Sequence, residues 1–232
     1  MTALSAFRDH RAPLRLVIFD CDGVLVDSEP VSNRILAEDL SARGWPMPTE
    51  EATRRFLGLS LPTMRAPVEA HLGRPLPPDW EATLQARIAD ALGIEAIPVP
   101  GALAALAATE MLGLPWRIAS NSSHAEMTAK FHRLGMTERV KGRLHSFTDV
   151  ARGKPAPDLF LAAAAAQQVP PAECLVVEDS VTGVRGAVAA GMTCLGYAPH
   201  GDGAFLRAEG ATPFHSMTEL PALLVAALRR AA

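Results

Sequence analysis

The chain has 232 residues, of which 49% are hydrophobic and 20% charged, a balance typical of a folded globular protein. Its formal net charge of −3 gives no electrostatic reason to expect a nucleic-acid or anionic-membrane partner. It has neither an apolar run of the roughly 20 residues that a membrane span needs nor the apolar segment of a secretory signal. Its 3 cysteines, widely spaced, predict no disulfide framework, so we expect a cytoplasmic protein.

The first predicted element is a buried strand, 16–19, that leads into the polar segment Asp20-Cys21-Asp22-Gly23. Residues two apart in an extended chain face the same way, so the carboxylates of Asp20 and Asp22 are expected to share one small space. Two such charges repel unless a cation or a shared proton compensates, and oxygen ligands suit Mg²⁺. One carboxylate could then act as nucleophile and the other as proton donor and acceptor. The pair alone could also be an acidic surface turn.

Residues 30–97 differ from the rest of the chain. They lack a β-branched apolar run, their apolar residues recur at helical spacing, and prolines and glycines punctuate them. We predict a small all-helical unit that ends in the proline-rich linker 97–101. The predicted domains are therefore a core of residues 1–29 and 98–232 and a helical insertion of residues 30–97.

Helices and strands alternate in the remainder of the sequence. The predicted helices and strands are, in chain order, helix 102–112, strand 116–119, helix 123–134, strand 144–147, helix 156–168, strand 174–177, helix 181–190, strand 193–197 and helix 217–230. Strands separated by helices of this length indicate right-handed crossovers and a parallel sheet. The predicted fold class is α/β, a Rossmann-like parallel sheet core with an inserted all-helical cap domain.

Polar residues follow the predicted strands at the edge where open parallel sheets bind their ligands. Ser120 comes directly after strand 116–119, a position that suits a phosphate group, although the serines after it could cap the next helix. Lys154 lies in the loop before helix 156–168 in a chain whose basic residues are nearly all arginine. Most lysines are solvated, but an ammonium here would suit a phosphate and a carboxylate together.

Acidic residues follow strand 174–177 in the same way. Glu178 and Asp179 could cap the helix that begins after them. Their place at the end of a buried strand, beside Asp20 and Asp22, instead favours a metal site with oxygen ligands.

The segments D-C-D-G-V-L-V-D-S-E, I-A-S-N-S, G-K-P-A-P-D and V-V-E-D-S occur in this order. With them the sequence resembles, over nearly its whole length, haloacid-dehalogenase-superfamily hydrolases of the phosphoglycolate phosphatase and β-phosphoglucomutase type. The resemblance implies that Asp20 is the nucleophile and Asp22 the general acid/base. It implies that Ser120 binds the transferring phosphoryl group and that Lys154 bridges this group and the nucleophile. Asn121 is a further candidate for substrate binding.

The resemblance also implies a cofactor and a moving domain. Mg²⁺ would be held by Asp179 with Glu178, by Asp20 and by the backbone carbonyl of Asp22. The helical insertion, residues 30–97, would be the cap that closes over the site.

Several functions occur among proteins with these motifs. A dehalogenase lacks the second aspartate, and a phosphonoacetaldehyde hydrolase needs a lysine in the cap, where this chain has none. A sugar-phosphate mutase would carry a histidine and a basic stretch where this chain has Ser32 and the uncharged segment 57–61. The intact catalytic set argues against a binding protein without chemistry.

We therefore predict a Mg²⁺-dependent phosphatase, with a β-phosphoglucomutase-like mutase as the alternative. The substrate would be a small phosphorylated metabolite: a sugar phosphate, a sugar-acid phosphate or phosphoglycolate. Arg54, Arg55 and Arg65 could meet the leaving group, or they could form a solvated helix face. We expect a monomer without nucleic-acid or membrane partners.

Overall fold

The computed structural model describes residues 13–56 and 61–229. The chain divides into two compact units, the larger formed by residues up to Asp27 and from Pro98 onward, the smaller by Ser28–Ile97. The smaller unit starts at Ser28, two residues before the predicted boundary, and its first helix begins at Glu29.

The strands are short and mostly apolar. They are β1 (Leu16–Phe19), β2 (Val26–Asp27), β3 (Ile97–Pro98), β4 (Trp116–Ser120), β5 (Leu144–Ser146), β6 (Cys174–Glu178), β7 (Thr193–Tyr197) and β8 (Thr212–Phe214). Strand β8 was not predicted, because its three residues include Pro213. Proline is tolerated there because β8 is an edge strand.

The helices alternate with the strands of the larger unit and make up most of the smaller one. They are α1 (Glu29–Ala42), α2 (Thr49–Phe56), α3 (Leu61–Leu72), α4 (Trp80–Glu95), α5 (Ala102–Met111), α6 (His124–Arg133), α7 (Thr137–Val140), α8 (Asp158–Ala166), α9 (Val181–Ala189), α10 (Ala204–Ala208) and α11 (Leu220–Arg229). The short helices α7 and α10 were not predicted. Among the described residues, no helix combines the length and the apolar character that crossing a bilayer requires.

The larger unit is built on a parallel sheet with the strand order β5-β4-β1-β6-β7-β8. This confirms the predicted Rossmann-like α/β core. Strand β1 is fully buried along its length, as expected for a central parallel strand with neighbours on both sides. Its last residue, Phe19, pairs with Ile118 of β4 and Val177 of β6, so the ends of these three strands lie within two residues of one another.

The strand order reverses beside β1. From β1 the chain continues to β4 and then β5 on one side, and it returns to β6, β7 and β8 on the other. Open α/β sheets bind ligands at such a reversal, beyond the carboxyl ends of the strands. The residues that follow β1, β4 and β6 are therefore placed to form a ligand site.

The smaller unit has an apolar core of its own, which includes Leu40, Trp80 and Leu84. The carboxylate of Asp39 is buried within this unit. The side chain of Asp39 accepts hydrogen bonds from the Trp80 indole at 2.8 Å, from Arg43 at 2.7 Å and from Arg87 at 3.1 Å. Three donors therefore compensate one buried charge.

Candidate active site

A lysine and two carboxylates meet at the carboxyl end of β1 and β6. The Lys154 ammonium donates to Oδ1 of Asp20 at 2.5 Å and to Oε1 of Glu178 at 2.6 Å. All three side chains are almost completely buried. Burial lowers the pKa of Lys154, but the charges of Asp20 and Glu178 more than offset this, so its pKa lies above the ordinary value. The lysine is therefore a fixed positive charge between the ends of two strands.

Glu178 is held from both sides. Its Oε2 accepts hydrogen bonds from the backbone N–H groups of Asp179 and Ser180, both at 2.8 Å, and from the Ser180 hydroxyl at 2.9 Å. Helix α9 packs close against this carboxylate, since a Cβ on Gly183 would lie 1.6 Å from Oε1. The tight fit explains why a glycine stands in the first turn of α9, and it leaves the Glu178 carboxylate in one orientation.

The third acidic side chain, Asp179, completes a cluster in which oxygen atoms of Asp20, Glu178 and Asp179 all lie within 4.8 Å of one another. The loop after β1 runs beside it: a Cβ on Gly23 would lie 1.9 Å from Oδ2 of Asp179, and Gly23 has a positive φ of 79°. Only glycine suits both constraints.

The cluster carries more negative charge than its surroundings compensate. Burial, opposed by Lys154 and reinforced by Glu178 and Asp22, raises the pKa of Asp20 to about 7. Burial, followed by the charges of Glu178 and Asp20, raises the pKa of Asp179 well above its ordinary value. Oxygen ligands in this number, with unbalanced charge, fit a hard divalent cation such as Mg²⁺.

The hydrogen-bond partners of Asp22 differ from those of the acidic cluster. Both of its carboxylate oxygens accept from the Lys130 ammonium, at 2.8 and 2.7 Å, and Oδ2 also accepts from the Ser122 hydroxyl at 2.9 Å. Burial lowers the pKa of Lys130, but Asp22 and Cys21 more than offset this, so its pKa is raised. Cys21 between the two aspartates is fully buried, and burial raises the pKa of its thiol well above the ordinary value.

Lys130 is the site residue that the sequence interpretation missed. It lies on the buried face of α6, between Met127 and Phe131, which are both fully buried. A lysine at a position where the helical spacing predicts an apolar residue was the available signal.

The polar residues after β4 support the same region. Ser120 is almost fully buried, and its hydroxyl oxygen accepts from the backbone N–H of Ser122 at 3.1 Å. The Asn121 side chain donates to the carbonyl of Lys154 at 3.1 Å and accepts from its N–H at 2.9 Å. Asn121 thus holds the backbone of the loop that carries Lys154. Its contact with substrate stays a prediction.

The three arginines Arg54, Arg55 and Arg65 form their contacts within the smaller unit. Arg65 donates to the carboxylates of Glu81 and Glu69 and to the carbonyls of Leu76 and Pro77. On α2, the Arg54 guanidinium donates to the Glu50 carbonyl at 3.4 Å, while Arg55 pairs with Glu51 and lies over the Trp45 ring. These contacts favour a structural role for Arg65. Four residues of the segment 57–61, namely 57–60, lie outside the described residues.

Comparison with known proteins agrees with this geometry. Residues 14–191 match the haloacid dehalogenase-like hydrolase family. The chain is 30% identical over 211 residues to the 6-phosphogluconate phosphatase of Escherichia coli, covering 90% of this chain and 94% of that protein. It is also 30% identical over 183 residues to hexitol phosphatase A of the same species, covering 75% and 78%.

Solved structures show the same fold. A conserved haloacid dehalogenase-like protein from Agrobacterium tumefaciens superposes with a TM-score of 0.80 at 32% identity, covering 92% of this chain and 98% of that one. A hydrolase of the same family from Deinococcus radiodurans, with bound phosphate and sodium, superposes with a TM-score of 0.78 at 33% identity. The match covers 94% of this chain and 98% of that one. The chain belongs to the haloacid dehalogenase-like hydrolase family, as predicted. The predicted enzyme class, a phosphoric monoester hydrolase, is confirmed with it.

Proposed function

We propose that this enzyme hydrolyses a small phosphorylated metabolite through a phosphoenzyme intermediate on Asp20, with Mg²⁺ as its cofactor. The observation that carries the proposal is the buried Lys154 ammonium, which bonds Asp20 and Glu178 at the ends of two neighbouring strands. A carboxylate beside a fixed cation suits nucleophilic attack on a dianionic phosphate, whose charge must be compensated during transfer.

The reaction has two steps. A carboxylate oxygen of Asp20 attacks phosphorus, the bond between phosphorus and the ester oxygen breaks, and the leaving oxygen takes a proton from Asp22. Asp22 then takes a proton from the water that attacks the phosphoenzyme, which releases inorganic phosphate and restores Asp20. Lys154 and the hydroxyl of Ser120 stabilise the negative charge on the transferring group.

The metal would be held by Asp20 and Asp179, with Glu178 beside them and the backbone carbonyl of Asp22 as a further ligand. The unbalanced charge of the acidic cluster supports this assignment. When bound, Mg²⁺ supplies positive charge that offsets the phosphate and orients it toward Asp20.

The helical unit, Ser28–Ile97, is proposed as the cap that excludes bulk water during the first step. Its separate apolar core and internal ion pairs support a body that keeps its shape as it moves. The cytoplasmic location and the monomeric state stay predictions.

The substrate class rests on the relatives. Curated proteins similar to this chain are named phosphatases of 6-phosphogluconate, of hexitols and, in Drosophila melanogaster, of pseudouridine 5′-phosphate. We therefore propose a phosphate ester of a polyhydroxy compound, including sugar acids. The β-phosphoglucomutase-like structures from Bacteroides vulgatus and Thermotoga maritima are 24% identical, a level that supports the fold alone.

The test is a panel of phosphorylated metabolites with detection of released phosphate, with and without Mg²⁺. Sugar-acid, hexitol and hexose phosphates, phosphoglycolate and pseudouridine 5′-phosphate belong in the panel. During turnover, hydroxylamine should trap the acyl phosphate at Asp20, which peptide mass spectrometry locates. Absence of phosphate release across the panel, or a modified residue other than Asp20, would contradict the proposal.

The mutase alternative has its own assay. β-Glucose 1-phosphate with Mg²⁺ and a trace of the 1,6-bisphosphate should yield little glucose 6-phosphate, because water and not a sugar hydroxyl accepts the phosphoryl group. Efficient formation of glucose 6-phosphate with little free phosphate would identify a mutase.

A further inference from the structure

We propose that Lys130 is a positioning residue whose ammonium, together with the Ser122 hydroxyl, fixes the orientation of the Asp22 carboxylate for proton transfer. The inference rests on the proposed function, in which Asp22 is the general acid/base. It assigns a task to a buried lysine that takes no part in the phosphate and metal chemistry.

The geometry is a closed set of hydrogen bonds. Lys130 donates to both carboxylate oxygens of Asp22, Ser122 donates to Oδ2, and Lys130 also donates to the Ser122 hydroxyl oxygen at 3.1 Å. With both oxygens anchored, the carboxylate cannot rotate about its terminal bond without losing a charge-assisted hydrogen bond. Oδ1 accepts from Lys130 and still has a second lone pair that can meet a leaving group or a water.

The burial of the two partners is unequal. The Lys130 side chain is 3% exposed, whereas the Asp22 side chain is 30% exposed. Asp22 thus retains access to water and needs no lysine in order to remain solvated. Burying an ammonium costs free energy, and a hydrophobic residue of similar volume is often as stable or more stable. Packing of α6 between Met127 and Phe131 therefore does not explain a lysine here, but a function through Asp22 does.

Hydrogen bonds also hold the backbone on which this pair lies. Helix α6 begins with a capping box, in which the Ser123 hydroxyl accepts from the N–H of Glu126 and the Glu126 carboxylate accepts from the N–H of Ser123. The Ser122 carbonyl accepts from the hydroxyl of Ser146 at 2.8 Å, and the Ser122 N–H donates to Ser120. Asp22 is thereby fixed relative to Ser120, the proposed phosphate-binding residue.

The chemistry offers a readout that a merely structural residue would not change. p-Nitrophenolate leaves as a stable anion, so transfer of phosphate from p-nitrophenyl phosphate to Asp20 does not require a proton from Asp22. Hydrolysis of the phosphoenzyme does require Asp22 as a base. A misplaced Asp22 should therefore slow the second step and spare the first.

The experiment compares Lys130→Met, Asp22→Asn and the control Lys141→Met, which alters a lysine whose side chain is 78% exposed. For Lys130→Met on p-nitrophenyl phosphate, we expect kcat to fall about 10- to 100-fold, the range for a misplaced catalytic group. KM should fall in parallel, so that kcat/KM is retained, and a pre-steady-state burst of p-nitrophenolate should approach one equivalent per enzyme. Lys141→Met should match the wild type.

For Lys130→Met alone, two kinetic outcomes would overturn the proposal. One is a wild-type kcat in Lys130→Met, and the other is a loss of kcat/KM without a burst, which would indicate damage to phosphate binding. The double variant Asp22→Asn/Lys130→Met should be no slower than Asp22→Asn alone, because Lys130 acts through Asp22. Additive losses would also contradict the proposal.

A crystal structure of Lys130→Met tests the same idea without activity. Methionine fills the space and water can reach Asp22, so the variant should fold, with a wild-type circular dichroism spectrum. We expect its Asp22 carboxylate to leave the observed orientation, and an unchanged orientation would overturn the proposal. If the wild type released no phosphate from any monoester, the proposed function would fail, while this structure would still decide whether Lys130 holds Asp22.

Discussion

Two buried aspartates, one in each unit, are compensated in opposite ways. Burial raises the pKa of Asp39 in the helical unit, but hydrogen bonds from Arg43 and Trp80 and the nearby charges outweigh it, so its pKa is lowered. Asp20 in the larger unit shares its single lysine with Glu178, and its pKa is raised to about 7.

The opposite pKa shifts distinguish a structural cluster, around Asp39, from a candidate active site, around Asp20. A carboxylate with three donors is held in its charged form and stabilises the fold around it. A carboxylate crowded by other carboxylates carries negative charge that its neighbours do not neutralise. Such a group binds a cation, takes up a proton or reacts. The comparison predicts that equivalent substitutions in the two clusters have opposite consequences.

The largest expected effect is a loss of activity when Asp20, in the acidic cluster of the larger unit, is substituted. Asp20→Asn should lower kcat for phosphate release by at least about 10³-fold, since the amide cannot act as the nucleophile, while the fold is retained. Asp90→Asn, which alters an exposed aspartate of α4, is the matched control and should keep wild-type rates. Turnover by Asp20→Asn close to that of the control would exclude Asp20 as nucleophile.

Removal of the metal should have the next largest effect. Excess chelator is expected to abolish phosphate release, Mg²⁺ to restore it, and Ca²⁺ to restore it poorly because it prefers more ligands at longer distances. In the same buffers, Mg²⁺ should raise the Tm of the wild type but not of Asp179→Asn, because binding to the folded state stabilises it. Full activity in chelator would show that the acidic cluster works without a metal.

Substitutions in the two clusters should also change the free energy of unfolding differently, by up to about 3 kcal/mol. Asp39→Asn should lower the free energy of unfolding by about 1.5–3 kcal/mol, because it weakens charge-assisted hydrogen bonds from buried or half-buried donors. Asp179→Asn should leave the metal-free protein as stable as the wild type, or more stable, since it removes a like charge from a crowded site. Chemical denaturation in chelator measures the free energy of unfolding of both variants. A large loss of stability in Asp179→Asn would contradict the difference drawn between the two clusters.

The smallest expected effect is a pH dependence. The pKa of Asp20 is raised from 3.8 to about 7 on folding, so its protonation stabilises the native state at low pH, and this contribution is lost as the pH rises through about 7. Asp20→Asn mimics the protonated form, so its stability advantage in chelator should be larger at pH 8 than at pH 6.

The difference between variant and wild type is the quantity to follow. Burial, with Arg117 nearby, lowers the pKa of His145 to about 4, which destabilises both proteins as the pH falls below the ordinary histidine value. This contribution cancels in the difference. A difference that does not change with pH would mean that Asp20 stays ionised in the metal-free protein.

Local pattern was enough for much of the fold. Apolar runs such as 16–19 and 174–177 are buried on both faces and therefore stand out in the sequence as strands. The strand 212–214 was missed because a proline interrupts it, and only its place at the sheet edge makes that acceptable.

Part of the candidate site could likewise be predicted from the sequence. Asp20, Ser120 and Glu178 could be identified because each comes at the end of a buried strand, and the ends of parallel strands meet at one edge of a sheet. The motifs around them, with that of Lys154, were sufficient to identify the family from the sequence.

What the sequence by itself determined was thus the α/β class, the family and the residues that stand at strand ends, since strands and turns have short-range signals. Only the tertiary structure decided which charges meet. Lys130 and Asp22 lie 108 positions apart, and their pairing depends on how helix α6 packs on the sheet. Asp39 and Asp20 likewise differ in the donors and in the neighbouring carboxylates that folding brings to them. No local pattern encodes the pairing of Lys130 with Asp22 or of Lys154 with Asp20, because each lysine comes from a part of the chain more than 100 positions away.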